Sequence, residues 1–173
     1  MPELKRLDVA YAPAVLAFEL ANREYFAASI SDRGDDFFVH FTDRYNALLA
    51  EQDAGICACY VLLAEGSSVV GRFNLTDIDH HSANLGYRVA QAVAGRGVAT
   101  AAVREVCQLA AQQGLHTLRA ATSHLNVASQ KVLINAGFVH VGPAAPSELG
   151  GKSGSWYQRD LTLRPGRRDL SSR

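Results

Sequence analysis

The stretch that decides the fold is "LGYRVAQAVAGRGVATAAVREVCQLAAQQG", residues 85–114. It begins with the alternating pattern of a strand over 85–89 and continues from Val98 as an amphipathic helix. Between the two lie Gly95 and Gly97, although glycine is among the poorest helix formers. We therefore expect this turn to need either a backbone conformation or a close approach that only glycine allows.

The start of this helix is a candidate anion site. The first turn of a helix presents backbone N–H groups that have no partner within the helix, and the helix dipole adds positive potential. Gly95 and Gly97 would let an anion approach the backbone, while Arg96 adds charge and Thr100 adds a hydroxyl. The competing interpretation is a plain strand-to-helix turn with unusual backbone angles, and the glycine pair alone does not decide between the two.

Two familiar phosphate-binding motifs are absent. The Walker sequence G-x-x-x-x-G-K-[S/T] occurs nowhere in the chain. The dinucleotide fingerprint G-x-G-x-x-G fails because Thr100 stands in its third glycine place, and because the preceding strand ends a meander rather than opening a doubly wound sheet. The sequence therefore favours neither a P-loop nor a Rossmann site.

Composition indicates an ordinary globular protein. The chain has 173 residues, of which 48% are apolar and 20% are charged. Its 17 basic and 17 acidic residues balance, which argues against nucleic acid as the main ligand. The first residues lack the apolar run of a signal peptide, and no segment reaches the length of a membrane span. We expect a soluble, cytoplasmic protein that binds neither nucleic acid nor membrane.

The three cysteines predict buried thiols rather than a metal site. Cys57, Cys59 and Cys107 form an odd set without the spacing of a disulfide framework, which suggests reduced thiols. Cys57 and Cys59 would point to the same face of one strand. No further Cys or His pair follows at zinc spacing, so we expect no bound metal.

The order of elements predicts one α+β domain over residues 1–163. The sequence reads as β-α-α-β-β-β-α-β-α-β-β, with two hairpins in a row in its first half. The arginine-rich segment 164–173 is expected to be a flexible tail. The expected strands are 4–10, 56–65, 69–79, 84–90, 116–122, 138–143 and 155–163, and the expected helices are 11–26, 35–55, 98–114 and 126–138.

A third glycine pattern fits the deciding stretch. The signature [Q/R]-x-x-G-x-[G/A] belongs to the GCN5-related N-acetyltransferase (GNAT) family, and "AGRGVA" matches it at Gly97 and Ala99 but has Ala94 in the first place. "LGYRV", "GRFNL" and "NVASQKVLINAGF" also resemble segments of the RimJ/RimL branch, in the same order. The resemblance covers roughly residues 61–163. It implies the GNAT fold, a mixed, mostly antiparallel sheet of seven strands with a splayed parallel pair and about four helices.

The resemblance also implies an acetyl-CoA site. The splayed strands would be 84–90 and 117–122, and the backbone amides of Gly95, Arg96, Gly97, Val98, Ala99 and Thr100 would hold the pyrophosphate. The backbone near Val89 would pair with the pantetheine arm as an added strand does. Asn126 and Ser129 would meet the far end of that arm. Tyr87 belongs to the same strand, although its alternation with Leu85 and Val89 also fits core packing.

The chemistry implied is acetyl transfer to an amine, directly and within a ternary complex. The Val89 amide is a candidate donor to the oxyanion, and Ser129 a candidate proton donor to the leaving thiolate. Local backbone bonding is the competing interpretation for Ser129, and a helix N-cap for Asn126. Asp77 is the candidate base near the hairpin, beside His80 and His81, which would more ordinarily be a solvated tip.

The acceptor is open at this stage. Relatives of this branch acetylate N-terminal amines of ribosomal proteins, and others modify small amines. Acidic residues of the first two helices, among them Glu19 and Asp35, could attract a cationic amine or simply be solvated. The branch also allows a homodimer. The alternative function is a non-catalytic acyl-CoA-binding module, which would keep the glycine turn but need neither a base nor Ser129.

Overall fold

The computed structural model describes residues 2–163, so the predicted tail 164–173 lies outside the described residues. Seven strands form a single sheet in the order β1-β2-β3-β4-β5-β7-β6. The strands are β1 (Glu3–Arg6), β2 (Ala58–Leu63), β3 (Val69–Asp79), β4 (Ser82–Val89), β5 (Thr117–Ser123), β6 (Val139–Ala144) and β7 (Gly154–Asp160). The helices are α1 (Ala12–Ala21), α2 (Arg23–Ala27), α3 (Asp35–Val39), α4 (Phe41–Asp53), α5 (Val98–Gln112) and α6 (Val127–Asn135).

The predicted α+β architecture is confirmed, with one difference in the helices. Each of the first two predicted helices is broken once, at Asn22 and at His40, so that six α-helices replace about four. At the first break the Asn22 side chain donates to the Phe18 carbonyl oxygen and accepts from the Gln91 N–H. The start of the chain also differs, because Asp8 caps a short 3-10 turn over Val9–Tyr11 where the sequence suggested more strand.

Two apolar layers cover the two faces of the sheet. Below α5 and α6 the core contains Phe73, Leu75, Leu118, Leu133 and Phe138, all almost fully buried. Below α1–α4 it contains Val15, Phe18, Phe41, Cys59 and Val61. Burial of both faces explains why β2 is a continuous apolar run rather than an alternating one.

The cysteines are free and buried, as the sequence predicts. Burial raises the pKa of Cys59 to about 12, which leaves its thiol protonated and unreactive near neutral pH. Within residues 2–163 no helix has the length and apolarity needed to cross a membrane.

One pair of neighbouring strands, β4 and β5, runs parallel. All other neighbours in the sheet are antiparallel, including β3 with β4 and β5 with β7. The sheet therefore has one parallel junction at its centre.

Candidate active site

The parallel junction opens into a gap. Only Ser82, Ala83 and Asn84 pair across it, with Thr117, Leu118 and Arg119. Beyond these pairs β4 continues along β3 to Val89, and β5 continues along β7 to Ser123. The two inner edges from 85–89 and 120–123 thus face each other without a ladder, as the predicted splay requires.

The open edge of β4 presents backbone groups to the gap. Ala90 donates its N–H to the Val70 carbonyl oxygen of β3, 2.8 Å away. Peptide groups alternate in direction along a strand, and the register with β3 is regular from Thr76 to Gly71. The peptide groups of Val89 and Tyr87 therefore point away from β3 and into the gap, where an extended polar ligand could pair with them.

The glycine turn that follows β4 has the conformation that only glycine adopts readily. Gly95 has φ 73° and Gly97 has φ 75°, and Gly97 forms the left-handed N-cap of α5. A Cβ at either position would meet no atom within 4 Å, so open space lies over both. Within the described chain, the N–H groups of Gly95, Arg96 and Gly97 donate to no protein acceptor.

The first turn of α5 continues this surface. Val98, Ala99 and Thr100 are half-buried, and their N–H groups belong to the helix end that has no intrahelical acceptors. Together with the glycine turn they form a row of donors at the positive end of a helix of 15 residues. This arrangement fits a diphosphate, and Arg96 is exposed beside it.

At the start of α6, hydroxyl groups from α6 and β4 form a hydrogen-bonded network beside the gap. The Asn126 side chain accepts from the Ser129 N–H at 3.2 Å, which confirms the predicted N-cap. Ser129 Oγ lies 2.9 Å from Tyr87 Oη. The Tyr87 ring stacks on Phe73 with centroids 5.7 Å apart, so it packs in the core and still reaches the network. Burial raises the pKa of Tyr87 to about 12, which keeps its hydroxyl protonated near neutral pH.

A cavity of about 410 Å³ extends from the gap toward the face covered by α1 and α2. Its walls come from β3, β4, β5, the start of α6 and two loops. The loops touch: Lys152 donates to the Ser29 carbonyl oxygen at 3.0 Å, and a Cβ at Gly150 would collide with the Ser31 hydroxyl. Together they form one part of the cavity wall.

Three arginines surround one buried carboxylate on this face of the sheet. Glu19 of α1 is 1% exposed and binds Arg72 at 2.9 Å, Arg33 at 3.1 Å and Arg88 at 3.3 Å. Burial alone would raise the pKa of Glu19, but the attraction of the three guanidinium groups outweighs it and holds that pKa below its ordinary value. Burial, followed by repulsion from Arg33, lowers the pKa of Arg88 to about 10. All three arginines line the cavity.

Not every predicted site residue reaches the cavity. Asn126, Ser129 and Tyr87 line it, whereas Val89 and residues 95–100 follow directly along the chain and lie outside its wall. Asp77 is exposed, has φ 49° in an irregular part of β3, and binds the Asn84 side chain where β4 and β5 are still paired. The structure therefore does not bring the predicted base to the site.

The arginine cluster was missed by the sequence reasoning. Arg72 alternates with Phe73 in β3 and Arg88 with Tyr87 in β4, and strands that sit centrally in a sheet are covered on both faces. Two charged residues on the covered face of adjacent central strands are a signal for a buried polar site. The sequence does not show which strands are neighbours, so the same alternation of charged and apolar residues is equally typical of a strand with one face in solvent.

Comparison with known proteins agrees with the fold. The family model described as "Acetyltransferase (GNAT) domain" matches residues 4–139. Ribosomal-protein-S5-alanine acetyltransferase from Vibrio fischeri has a similar structure, with TM-score 0.85, 20% identity and 93% of each chain covered. RimJ of Mycobacterium smegmatis, in complex with a CoA disulfide, gives TM-score 0.80 and 24% identity over 94% of this chain and 83% of that one.

A third similar structure is the microcin C7 self-immunity acetyltransferase MccE in complex with acetyl-CoA and AMP. Its TM-score is 0.77 and its identity 18%, over 91% of this chain and 92% of that one. No protein of curated function matches the sequence significantly. Because the family model covers most of the chain, from β1 into β6, this protein belongs to the GNAT acetyltransferases, a family of acyl-CoA-dependent N-acetyltransferases.

Proposed function

We propose that the protein transfers an acetyl group from acetyl-CoA to a primary amine, directly and within a ternary complex. The observation that carries this proposal is the gap between β4 and β5, which joins a row of free backbone donors to a cavity of about 410 Å³. Acetyl-CoA would supply an activated acetyl group as a thioester. The residues of the chain bind the carrier, orient the amine and manage protons.

The carrier fits the open groups of the site. The donors of Gly95, Arg96, Gly97, Val98, Ala99 and Thr100 would take the pyrophosphate. The backbone of Val89 and Tyr87 would pair with the pantetheine amides, because both peptide groups face the gap. Asn126 would contact the far end of the arm through its free NH₂, since its Oδ1 is engaged in capping α6.

Direct transfer is favoured over a covalent acyl-enzyme. Among residues 2–163, no cysteine and no histidine lines the cavity, and none of the serine hydroxyls in its wall is hydrogen-bonded to a lysine, histidine or carboxylate side chain that could activate it. In direct transfer the amine nitrogen forms a bond to the acetyl carbon, the carbon–sulfur bond breaks, one proton leaves nitrogen and one reaches sulfur. The Val89 N–H, which faces the gap, would donate to the oxygen that gains charge.

The proton for the thiolate would come from the Ser129–Tyr87 pair. Either oxygen can be the donor across the 2.9 Å contact, and Tyr87 stays protonated at the pH of catalysis. Asp77 lies at the paired end of the strands, away from the gap. The proton of the amine would therefore pass to water, or the amine would lose it before binding.

The proposal is tested by titrating acetyl-CoA by calorimetry into wild type and Ala99→Glu. A glutamate in the first turn of α5 suits the helix dipole, so it should leave folding intact while repelling a diphosphate. The matched control is Ala101→Glu, which changes an exposed alanine two residues further along the same helix. We expect binding to wild type and to the control, and at least about tenfold weaker binding to Ala99→Glu.

Turnover separates the enzyme from a non-catalytic module. A panel of amines is assayed for release of the coenzyme A thiol. Binding without release for any amine would favour an acyl-CoA-binding module, and absence of binding by wild type would overturn the proposal. The cytoplasmic setting, the absence of nucleic acid and the homodimer remain predictions.

A further inference from the structure

The cavity beyond the gap carries an excess of positive charge. Arg33, Arg72, Arg88 and Lys152 line it, and Glu148 is the one carboxylate that residues 2–163 contribute to its wall. Glu148 already accepts from the Ala145 N–H and from Trp156 Nε1. Glu19, which does not line the cavity, forms ion pairs with three guanidinium groups at once. The chain as a whole has no net charge, so this excess is local.

Burying a charge without an opposite charge nearby costs folding free energy. Anchoring α1 to the sheet therefore does not by itself explain why three arginines gather around one carboxylate. One carboxylate would suffice to anchor α1 to the sheet through one arginine. Arg72 and Arg88 stand directly opposite each other on β3 and β4, a placement that repels like charges. Such an arrangement is stabilised by a further anion, and the cavity gives one access.

Two polar atoms in this wall have no partner. Arg72 Nε and Asn74 Oδ1 are buried, and neither makes a hydrogen bond within the described structure. The Arg72 side chain is only 6% exposed. Both atoms have almost no solvent-accessible surface, so they do not face the cavity directly, but their lack of a partner among the described residues marks this part of β3 as a polar site that the protein alone does not satisfy.

The side chains of Arg72 and Asn74 lie on the same face of the sheet. Arg72 and Asn74 are two residues apart on β3, a spacing of about 7 Å. Opposite Asn74 stands Gly86, where a Cβ would meet nothing within 4 Å, so the floor between them is open. Arg88 is held over the Phe26 ring at 4.8 Å and Arg33 over the Phe37 ring at 4.7 Å, which pre-organises the guanidinium groups.

We infer that the acceptor is an amine that carries a carboxylate or phosphate a few bonds from its nitrogen. Arg72 and Arg88, which line the cavity, bind the anion and so direct the amine nitrogen toward the gap. This rests on the proposed function and narrows it to one class of substrate. The cavity is accordingly a poor site for a polycation such as spermidine, because four cationic side chains would repel it.

The test compares acceptors that differ only in the anion. Acetylation of β-alanine is measured against β-alaninamide, and of phosphoethanolamine against ethanolamine, with spermidine as the polycation. We expect wild type to prefer the anionic member of at least one pair by about tenfold or more in kcat/KM. The pair that shows the larger preference distinguishes a carboxylate from a phosphate.

Two variants connect the preference to the cluster. Arg88→Gln should lose most of the preference, whereas Arg6→Gln, which removes an exposed arginine of β1, should keep it. Calorimetric binding of acetyl-CoA should be the same in both. Equal rates within both pairs, with acetyl-CoA binding intact, would overturn this inference while leaving the proposed function standing; loss of acetyl-CoA binding by wild type would instead overturn the proposed function.

A measurement without turnover gives a second reading. With coenzyme A saturating, which fills the pyrophosphate site, thermal unfolding is followed in inorganic phosphate and in chloride of equal ionic strength. Wild type and Arg6→Gln should be stabilised by phosphate relative to chloride, and Arg88→Gln should not. An identical response of all three proteins would count against an anion site at the arginines.

Discussion

At the scale of single residues, the contact between Tyr87 and Ser129 supplies the candidate proton donor of the site. Tyr87 is fixed from both sides, by stacking on Phe73 and by the hydroxyl of Ser129 at 2.9 Å. A buried hydroxyl with a raised pKa is a poor base near neutral pH but an available donor. Because Tyr87 lines the cavity beside the gap, the proposed function assigns it, with Ser129, the proton for the leaving thiolate.

Removing the Tyr87 hydroxyl should therefore slow the reaction more than it loosens the protein. Tyr87→Phe keeps the ring on Phe73 and deletes the hydrogen bonds of the hydroxyl to Ser129 Oγ and to the Ser129 carbonyl oxygen, which costs about 1–2 kcal/mol of unfolding free energy. We expect kcat to fall by about tenfold or more, with the acetyl-CoA affinity nearly unchanged. Steady-state kinetics and calorimetry on the same variant measure both quantities.

Tyr60→Phe is the matched control for that change. Tyr60 is 4% exposed and its hydroxyl accepts from Gln113 Nε2 at 2.8 Å, outside the cavity wall. It should lose similar stability and no activity. A kcat for Tyr87→Phe equal to that of Tyr60→Phe would remove the Tyr87 hydroxyl from the mechanism.

A double-mutant cycle assigns the proton between the two hydroxyls. If Ser129 delivers it and Tyr87 positions Ser129, Ser129→Ala should lower kcat as much as the double variant with Tyr87→Phe does. Additive losses in the cycle would show that the two side chains act independently, contrary to a shared donor.

At the scale of elements, the sequence predicts the strands, the glycine turn and α5 better than it predicts the contacts that form the cavity. The strand over 85–89, the glycine turn and α5 are local features, because alternation, backbone sterics and helical periodicity act within about ten residues. The breaks at Asn22 and His40 were missed because neither is marked by proline or glycine. The Glu19–Arg72 contact joins residues 53 apart, which no local pattern specifies.

The open edge of β4 makes a prediction that belongs to the element as a whole. By parity with Ala90, the amides of Gly86 and Arg88 face β3, while those of Tyr87 and Val89 face the gap. Amide exchange followed by NMR should thus alternate along the strand in the free protein, slow at Gly86 and Arg88 and fast at Tyr87 and Val89.

Addition of acetyl-CoA should remove this alternation. A ligand that pairs with β4 as a strand does would protect Tyr87 and Val89 and leave Gly86 and Arg88 as they were. If the added ligand protected only the turn over 95–100, the carrier would be held by its phosphates alone, and pairing with β4 would be refuted.

At the scale of the whole molecule, charge is distributed unevenly in a neutral chain. Among the described residues, the cavity wall holds four cationic side chains against one carboxylate. A charged concave site of this kind focuses potential and raises the local concentration of an anionic substrate. Glu19 is the residue that makes this arrangement compatible with a folded protein, because it links α1 to β3, β4 and the loop that carries Arg33.

Stability should accordingly depend on the ionisation of Glu19. Its pKa in the folded protein lies below the ordinary value of 4.5, so its contribution is fully present above pH 4.5 and is lost as the pH falls through the folded pKa. Urea unfolding at pH 3 to 7 compares wild type, Glu19→Gln and Glu105→Gln, the last an exposed carboxylate of α5. The difference between wild type and Glu19→Gln should be about 3 kcal/mol at pH 7 and should shrink below pH 4.5, since the protonated wild type then resembles the amide. Glu105→Gln should follow wild type throughout, and a constant difference for Glu19→Gln down to pH 3 would mean that the carboxylate charge does not hold the arginines together.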